Sequence, residues 1–236
     1  MSQLLRITGL QSFYGASQAL HGVNLSVSRG EQIALIGRNG MGKTTLLKSI
    51  VGLLADRRGE IHFANANTLK AKPEDIARKG LAYVPEGRGV FGSLSVVENL
   101  VMAARAGVSG SRAWTLDRVF EVFPRLHQRR TNGGHQLSGG EQQMLSIGRA
   151  LMTNPDLIIL DEATEGLAPL IAEEIWKTLG VIRAEGIATI VVDKDYRSLG
   201  KVADRMVVMA KGEIAFDGTT AQMQADPSIL EKHLGV

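Results

Sequence analysis

The 236-residue chain contains no cysteine. Disulfide scaffolds, thiolate metal sites and cysteine nucleophiles are therefore excluded. No apolar run approaches the roughly 18 residues of a membrane span, and the opening "MSQLLRITGL" lacks the apolar stretch of a secretory signal. The expectation is a cytosolic chain, in which the glycosylation-like Asn24-Leu25-Ser26 is a chance match. A strong charge imbalance is missing too: 27 basic minus 24 acidic residues leaves +3. That suits anionic ligands or an anionic membrane surface, but is too mild to argue for nucleic acid. The five histidines (His21, His62, His127, His135, His233) show no metal-ligand spacing and read as structural or surface residues. Arg57-Arg58 and Arg129-Arg130 read as solvated turns rather than nucleic-acid contacts. No repeat, low-complexity tract or long linker divides the chain.

What is present suits a globular protein with one large core: 44% apolar and 22% charged residues, with 27 glycines for tight turns. Strands are predicted at 4–8, 23–27, 33–36, 61–63, 81–84, 157–160, 187–192, 205–209 and 213–216. Helices are predicted after Lys43 and at 96–106, 113–123, 140–153, 170–184 and near 221–233. In the fifth of these, Ile171, Ile175, Leu179 and Ile182 recur at helical spacing and form one apolar stripe. Short strands come first, helices dominate 92–153, and strand and helix then alternate. The order predicts an α/β core interrupted by a helical insert.

Between the strand "QIALI" and the helix "TTLLKSIVGLL" stands "GRNGMGKTT": Gly37, Arg38, Asn39, Gly40, Met41, Gly42, Lys43, Thr44 and Thr45. It fits G-x-x-x-x-G-K-[ST] in the right context. Glycines let the backbone wrap an oligophosphate with its N–H groups pointing inward. Lys43 supplies a point charge for the β- and γ-phosphates, and Thr44 offers a hydroxyl ligand to Mg²⁺. The loop predicts a nucleoside triphosphate site. Further on, the apolar strand of "DLIILDEATEGLAP" delivers Asp161 to its carboxyl end, where a carboxylate can hold Mg²⁺. Glu162 follows, placed to orient and deprotonate the attacking water. Paired acids at the end of a buried strand need a cation or hydrogen bonds to offset their desolvation.

With "LSGGEQQMLSIGRALM" at 137–152, these motifs make the chain resemble the ATP-binding subunits of ABC transporters over essentially its whole length. The resemblance implies a P-loop NTPase core (1–86 and 153–236) with an antiparallel β subdomain and a helical subdomain inserted at about 87–152. It implies ATP and Mg²⁺ as ligands. It also implies a head-to-tail pairing with a second ABC ATPase subunit, whether identical or similar. Ser138, Gly139, Gly140 and Glu141 then contact ATP held by that partner, from a helix N-terminus suited to phosphate. Tyr14 matches the aromatic that stacks on adenine. Glu86, in "LAYVPEGRGVF", stands where the family usually has a Gln that touches Mg²⁺ and the membrane subunit. Ala168 replaces a dimer-contact Asp of many relatives.

"VPEGR", "LSGGEQQML" and "GLAP" are most similar to the smaller ATPase subunit of branched-chain amino acid importers. That implies integral membrane permease partners, an extracytoplasmic solute-binding protein, and a peripheral place on the cytoplasmic face of the inner membrane. Urea, amides or other small organic solutes are alternative cargoes. A soluble, non-transport ABC ATPase and a P-loop small-molecule kinase are the alternatives of other classes.

One departure stands at "VVDKDY". Where the family commonly ends a strand in a γ-phosphate-binding His, 32 residues after Glu162, this chain has Lys194. The expectation is that Lys194 reaches the γ-phosphate as a fixed charge and is otherwise held by Asp193 or Asp195; the alternative is a solvated lysine.

Overall fold

The computed structural model describes residues 2–226 and 228–233. Two long antiparallel strands open it, β1 (Gln3–Tyr14) and β2 (Ser17–Ser28). A buried strand, β3 (Gln32–Ile36), then feeds the glycine-rich loop and helix α1 (Lys43–Ile50). Strands β4 (Asp56–Phe63) and β5 (Ala66–Asn67) return to the first pair, giving a four-stranded sheet in the order β2-β1-β4-β5.

After α2 (Pro73–Arg78) and β6 (Leu81–Val84) the chain is helix and turn up to residue 156. This stretch holds α3 (Val96–Val101), α4 (Leu116–Val122), α5 (Pro124–Gln128) and α6 (Gly139–Leu151). Strand and helix then alternate: β7 (Leu157–Asp161), α7 (Pro169–Ala184), β8 (Ala188–Val192), α8 (Tyr196–Val202) and β9 (Arg205–Ala210). The hairpin strand β10 (Glu213–Thr219) and short helices α9 (Thr220–Ala225) and α10 (Ser228–His233) follow. The second sheet runs β10-β9-β3-β8-β7-β6, parallel except for the β9–β10 pair.

Period-2 alternation divides the buried strands between two cores. Ile33 and Leu35 of β3 and Leu157 and Ile159 of β7 pack with Leu46, Leu47 and Ile50 of α1 and with the antiparallel sheet. Ala34, Ile36, Ile158 and Leu160 face the other way, onto α6 and the α7 stripe of Ile175, Leu179 and Ile182. Strands covered on both faces read as continuous apolar runs, which is why "QIALI" and "LIIL" look uniform in sequence. Because β6, β7, β8 and β3 are parallel, their carboxyl ends share one edge, where open α/β sheets bind ligands.

All nine predicted strands are present; the two-residue β5 was too short to show a period. Helix 96–106 stops at Val101, because Arg105 N–H bonds Met152 O (3.1 Å) and Asn154 Nδ2 takes the carbonyls of Arg105 and Trp114. Those tertiary bonds compete with continued helix. Helices α2, α5 and α8 were not predicted, although Pro at the first helical position marked two of them. Arg57-Arg58 is not a turn: both lie in β4, Arg57 donating to Ser49 O (2.6 Å) and Arg58 stacking on Phe13 at 4.5 Å. Among the described residues, no helix is long and apolar enough to cross a membrane.

Candidate active site

The loop leaving β3 turns through left-handed backbone at Gly40 (φ 79°) and Gly42 (φ 101°), and Gly37 sits at φ 151°. At Gly37 a Cβ would lie 2.4 Å from Met209 O, so only glycine fits beside β9. Met41 ties the loop to the β9–β10 turn: its carbonyl accepts from Gly212 N–H (3.1 Å) and its sulfur from Lys211 N–H (3.2 Å). The result is a cavity of about 530 Å³ lined by Asn39, Gly40, Lys43, Thr44, Glu162 and Lys211, among others.

Inside it, Lys43 Nζ donates to the loop's own carbonyls, Gly37 O at 2.7 Å and Arg38 O at 3.0 Å. Burial holds the ammonium below the usual lysine range, while Glu162 and Asp161 pull the other way. Asp161 is fully buried at the end of β7. Its Oδ1 accepts from Thr44 Oγ1 at 3.4 Å and its Oδ2 from Tyr83 OH at 3.2 Å. Burial raises its pKa, these two hydrogen bonds oppose the rise, and the exposed Glu86 nearby adds to it. A buried acid beside a hydroxyl, in a purely oxygen donor set, suits a hard cation such as Mg²⁺. Among the described residues no three His, Cys, Asp or Glu side chains form a metal cage.

Glu162 takes up left-handed backbone (φ 55°), uncommon for a side chain of its size. Its carboxyl is pushed up to about 7, first by a hydrogen bond with Glu165, then by burial and the charges of Glu165 and Glu86. The Lys194 ammonium is bound to Glu165 rather than to either neighbouring aspartate, which corrects the expected hold by Asp193 or Asp195. Asp193 is instead buried, accepting from Thr164 N–H and Thr164 Oγ1, both at 2.7 Å. Asp195 caps α8 by accepting from Ser198 N–H (3.0 Å).

Several expected groups stand apart from this cavity. Tyr14, at the end of β1, is half-exposed and does not line it; its neighbours across the turn, Ser17 and Gln18, do. None of Ser138, Gly139, Gly140 and Glu141 lines it either. They open α6 as a reciprocal cap, Ser138 N–H donating to Glu141 Oε2 (2.8 Å) and Glu141 N–H to Ser138 Oγ (3.3 Å). Glu141 also faces Arg129 at 3.6 Å. A Cβ on Gly140 would clash with Ile171 at 2.6 Å, whereas one on Gly139 would meet only the movable end of the Arg88 guanidinium at 3.0 Å. Sequence reasoning missed Tyr83, Arg88, Glu165 and Lys211. Only "EGR" beside Glu86 and the second acid in "DEATE" hinted at any of them.

An ABC transporter family model matches residues 20–165, well over half of the chain. The chain belongs to the ABC transporter family. As an ABC ATPase it binds nucleotide and hydrolyses ATP as the ATPase subunit of a transporter. It is 39% identical over 98% of its length to the high-affinity branched-chain amino acid transport ATP-binding protein BraG of Pseudomonas aeruginosa, covering all of that protein. It is 31% identical, over its full length and 98% of the relative, to the lipopolysaccharide export system ATP-binding protein LptB of Acidithiobacillus ferridurans. A solved ABC transporter cassette in its ADP conformation superposes with a TM-score of 0.83 at 26% identity, each chain fully covered.

Proposed function

We propose that the chain energises an ABC importer, with branched-chain amino acids as the cargo. The full-length likeness to BraG carries this reading; the lower likeness to LptB marks lipopolysaccharide export as the other arm of the test. The partners are a second ABC ATPase subunit, integral permeases and, indirectly, a solute-binding protein. The ATPase pair sits on the cytoplasmic face of the inner membrane.

The pairing is supported by the separation already described. One chain places the phosphate loop on the cavity but not Ser138–Glu141, so the signature helix of a second subunit completes the site. The region 87–152 acts as the lever that carries it. A larger cavity of about 720 Å³, lined by Leu53, Pro85, Arg88, Met102, Arg105 and Arg149 and lying away from the phosphate loop, offers the permease a partly apolar groove beside Glu86.

In the reaction, the loop N–H groups and Lys43 bind the β- and γ-phosphates, Lys43 exchanging its two loop carbonyls for phosphate oxygens. Thr44 and Asp161, with Glu86 nearby, would hold Mg²⁺, whose charge neutralises the oligophosphate. Tyr83 fixes the Asp161 carboxylate. Glu162 accepts the proton of the attacking water, and Tyr14 covers the adenine.

Reconstitution with branched-chain amino acid permeases and their solute-binding protein tests the assignment. Leucine, isoleucine or valine should stimulate ATP hydrolysis in proteoliposomes. Stimulation by urea or short amides alone, or lipopolysaccharide release, would overturn the cargo. Failure to copurify with any permease from membranes would overturn the transport role.

A further inference from the structure

The ends of β7 and β8 continue to pair beyond the sheet. Asp161 is in register with Val192, and Ala163 N–H then bonds Val192 O at 3.2 Å. Thr164 is held twice by the buried Asp193 carboxylate, whose second oxygen accepts from Asp195 N–H at 2.9 Å. One step outward, Glu165 is paired with Lys194. Residues 161–165 and 192–195 thus form a ladder of successive rungs, and Glu162 lies between two of them.

We propose that Glu165 and Lys194 act as one positioning pair, in which Lys194 works through Glu165 to aim the Glu162 carboxyl into the phosphate cavity. The pair takes the place of a direct lysine–phosphate contact. Three observations carry it. The Glu165 carboxylate pairs with Lys194 and stands three residues after Glu162 on the same loop. Lys194 does not line the cavity, whereas Glu162 does. The Asp193 clamp fixes the spacing of the two loops, which keeps the Glu165 and Lys194 side chains within reach of each other. Without its lysine, Glu165 would be an unneutralised carboxylate beside Glu162, and the two would repel.

The inference rests on Glu162 as the base, so the experiment separates the two claims. Steady-state ATP hydrolysis and binding of a fluorescent ATP analogue are measured on the full chain carrying Glu162→Gln, Glu165→Ala, Lys194→Ala, the last two combined, and Lys194→Arg. For each of Glu165→Ala and Lys194→Ala, we expect kcat to fall about 10-fold, since small misplacements of a reacting group are costly. KM and analogue affinity should stay within about twofold, because neither residue lines the phosphate cavity. The double variant should be no worse than the poorer single one, and Lys194→Arg should restore kcat.

Multiplicative losses in the double variant, or weakened analogue binding in Lys194→Ala alone, would overturn the pair in favour of a direct phosphate contact. If Glu165→Ala does not fold, Glu165→Gln keeps the shape and removes the charge pair, and its kcat loss is read against Lys194→Ala in the same way. Full hydrolysis by Glu162→Gln would remove the base and the pair together. An inert Glu162→Gln alongside a multiplicative cycle would remove the pair alone.

Discussion

The phosphate loop after β3 and the paired loops after β7 and β8 lie at the same edge of one sheet, yet they are held by different means. The phosphate loop is fixed by backbone: glycines at positive φ, and a contact at Gly37 too close for any side chain. The 162–165 and 193–195 loops are fixed by side chains that meet across 29 residues of sequence, Thr164 with Asp193 and Glu165 with Lys194. The first kind of site tolerates almost no substitution at its glycines. The second can be altered one rung at a time.

The comparison can be broken most severely at the base. Glu162→Gln should lower ATP turnover about 10³-fold, within the usual range for loss of a general base, while a fluorescent ATP analogue still binds. Retained turnover in a phosphate-release assay would show that the β7–β8 ladder does not serve the chemistry. The loop comes next. Gly37→Ala should destabilise the chain by about 3 kcal/mol, the usual tail for strain plus overpacking, and should weaken analogue binding together with stability. Urea denaturation near wild type would mean that the loop is less rigid than its backbone contact implies.

Asp193→Ala probes the clamp. It strands the Thr164 N–H and hydroxyl, and leaving buried donors unpaired should cost about 2 kcal/mol, read as a lower urea midpoint at unchanged m. Unlike Gly37→Ala, it should leave analogue affinity intact and lower kcat. The smallest effect is expected for Tyr83→Phe. It removes one hydrogen bond to Asp161, a loss of about 1 kcal/mol, seen as a weaker dependence of hydrolysis on added Mg²⁺ with little change in stability. An unchanged Mg²⁺ titration would show that Thr44 alone orients the carboxylate.

Much of this was legible in the chain itself. The G-x-x-x-x-G-K-T pattern needs only local geometry, so sequence placed Gly37 to Thr45 on a strand–loop–helix turn, and the structure puts them there. The acid pair was readable for the same reason, since a short apolar, isoleucine-rich run ending in Asp161 reads as a buried strand delivering it to an edge, as the structure shows. Helix lengths were less legible. The 96–106 segment has helical spacing but ends early, because Asn154 and Met152 offer its carbonyl and N–H groups better-placed partners. Arg57-Arg58 looked like a turn because no single-chain pattern shows that Phe13 and Ser49 lie beside them.

Sequence by itself determined the nucleotide loop, the acids at the strand end and the α/β alternation, because each depends on residues within a few positions of one another. Only the tertiary structure decided what Lys194 touches. Its partner was not among the adjacent aspartates but on the next strand's loop, where the parallel register of β7 and β8 brings Glu165 alongside. Register between strands is set by packing on both faces of the sheet, and that information is spread over the whole core rather than written in "VVDKDY".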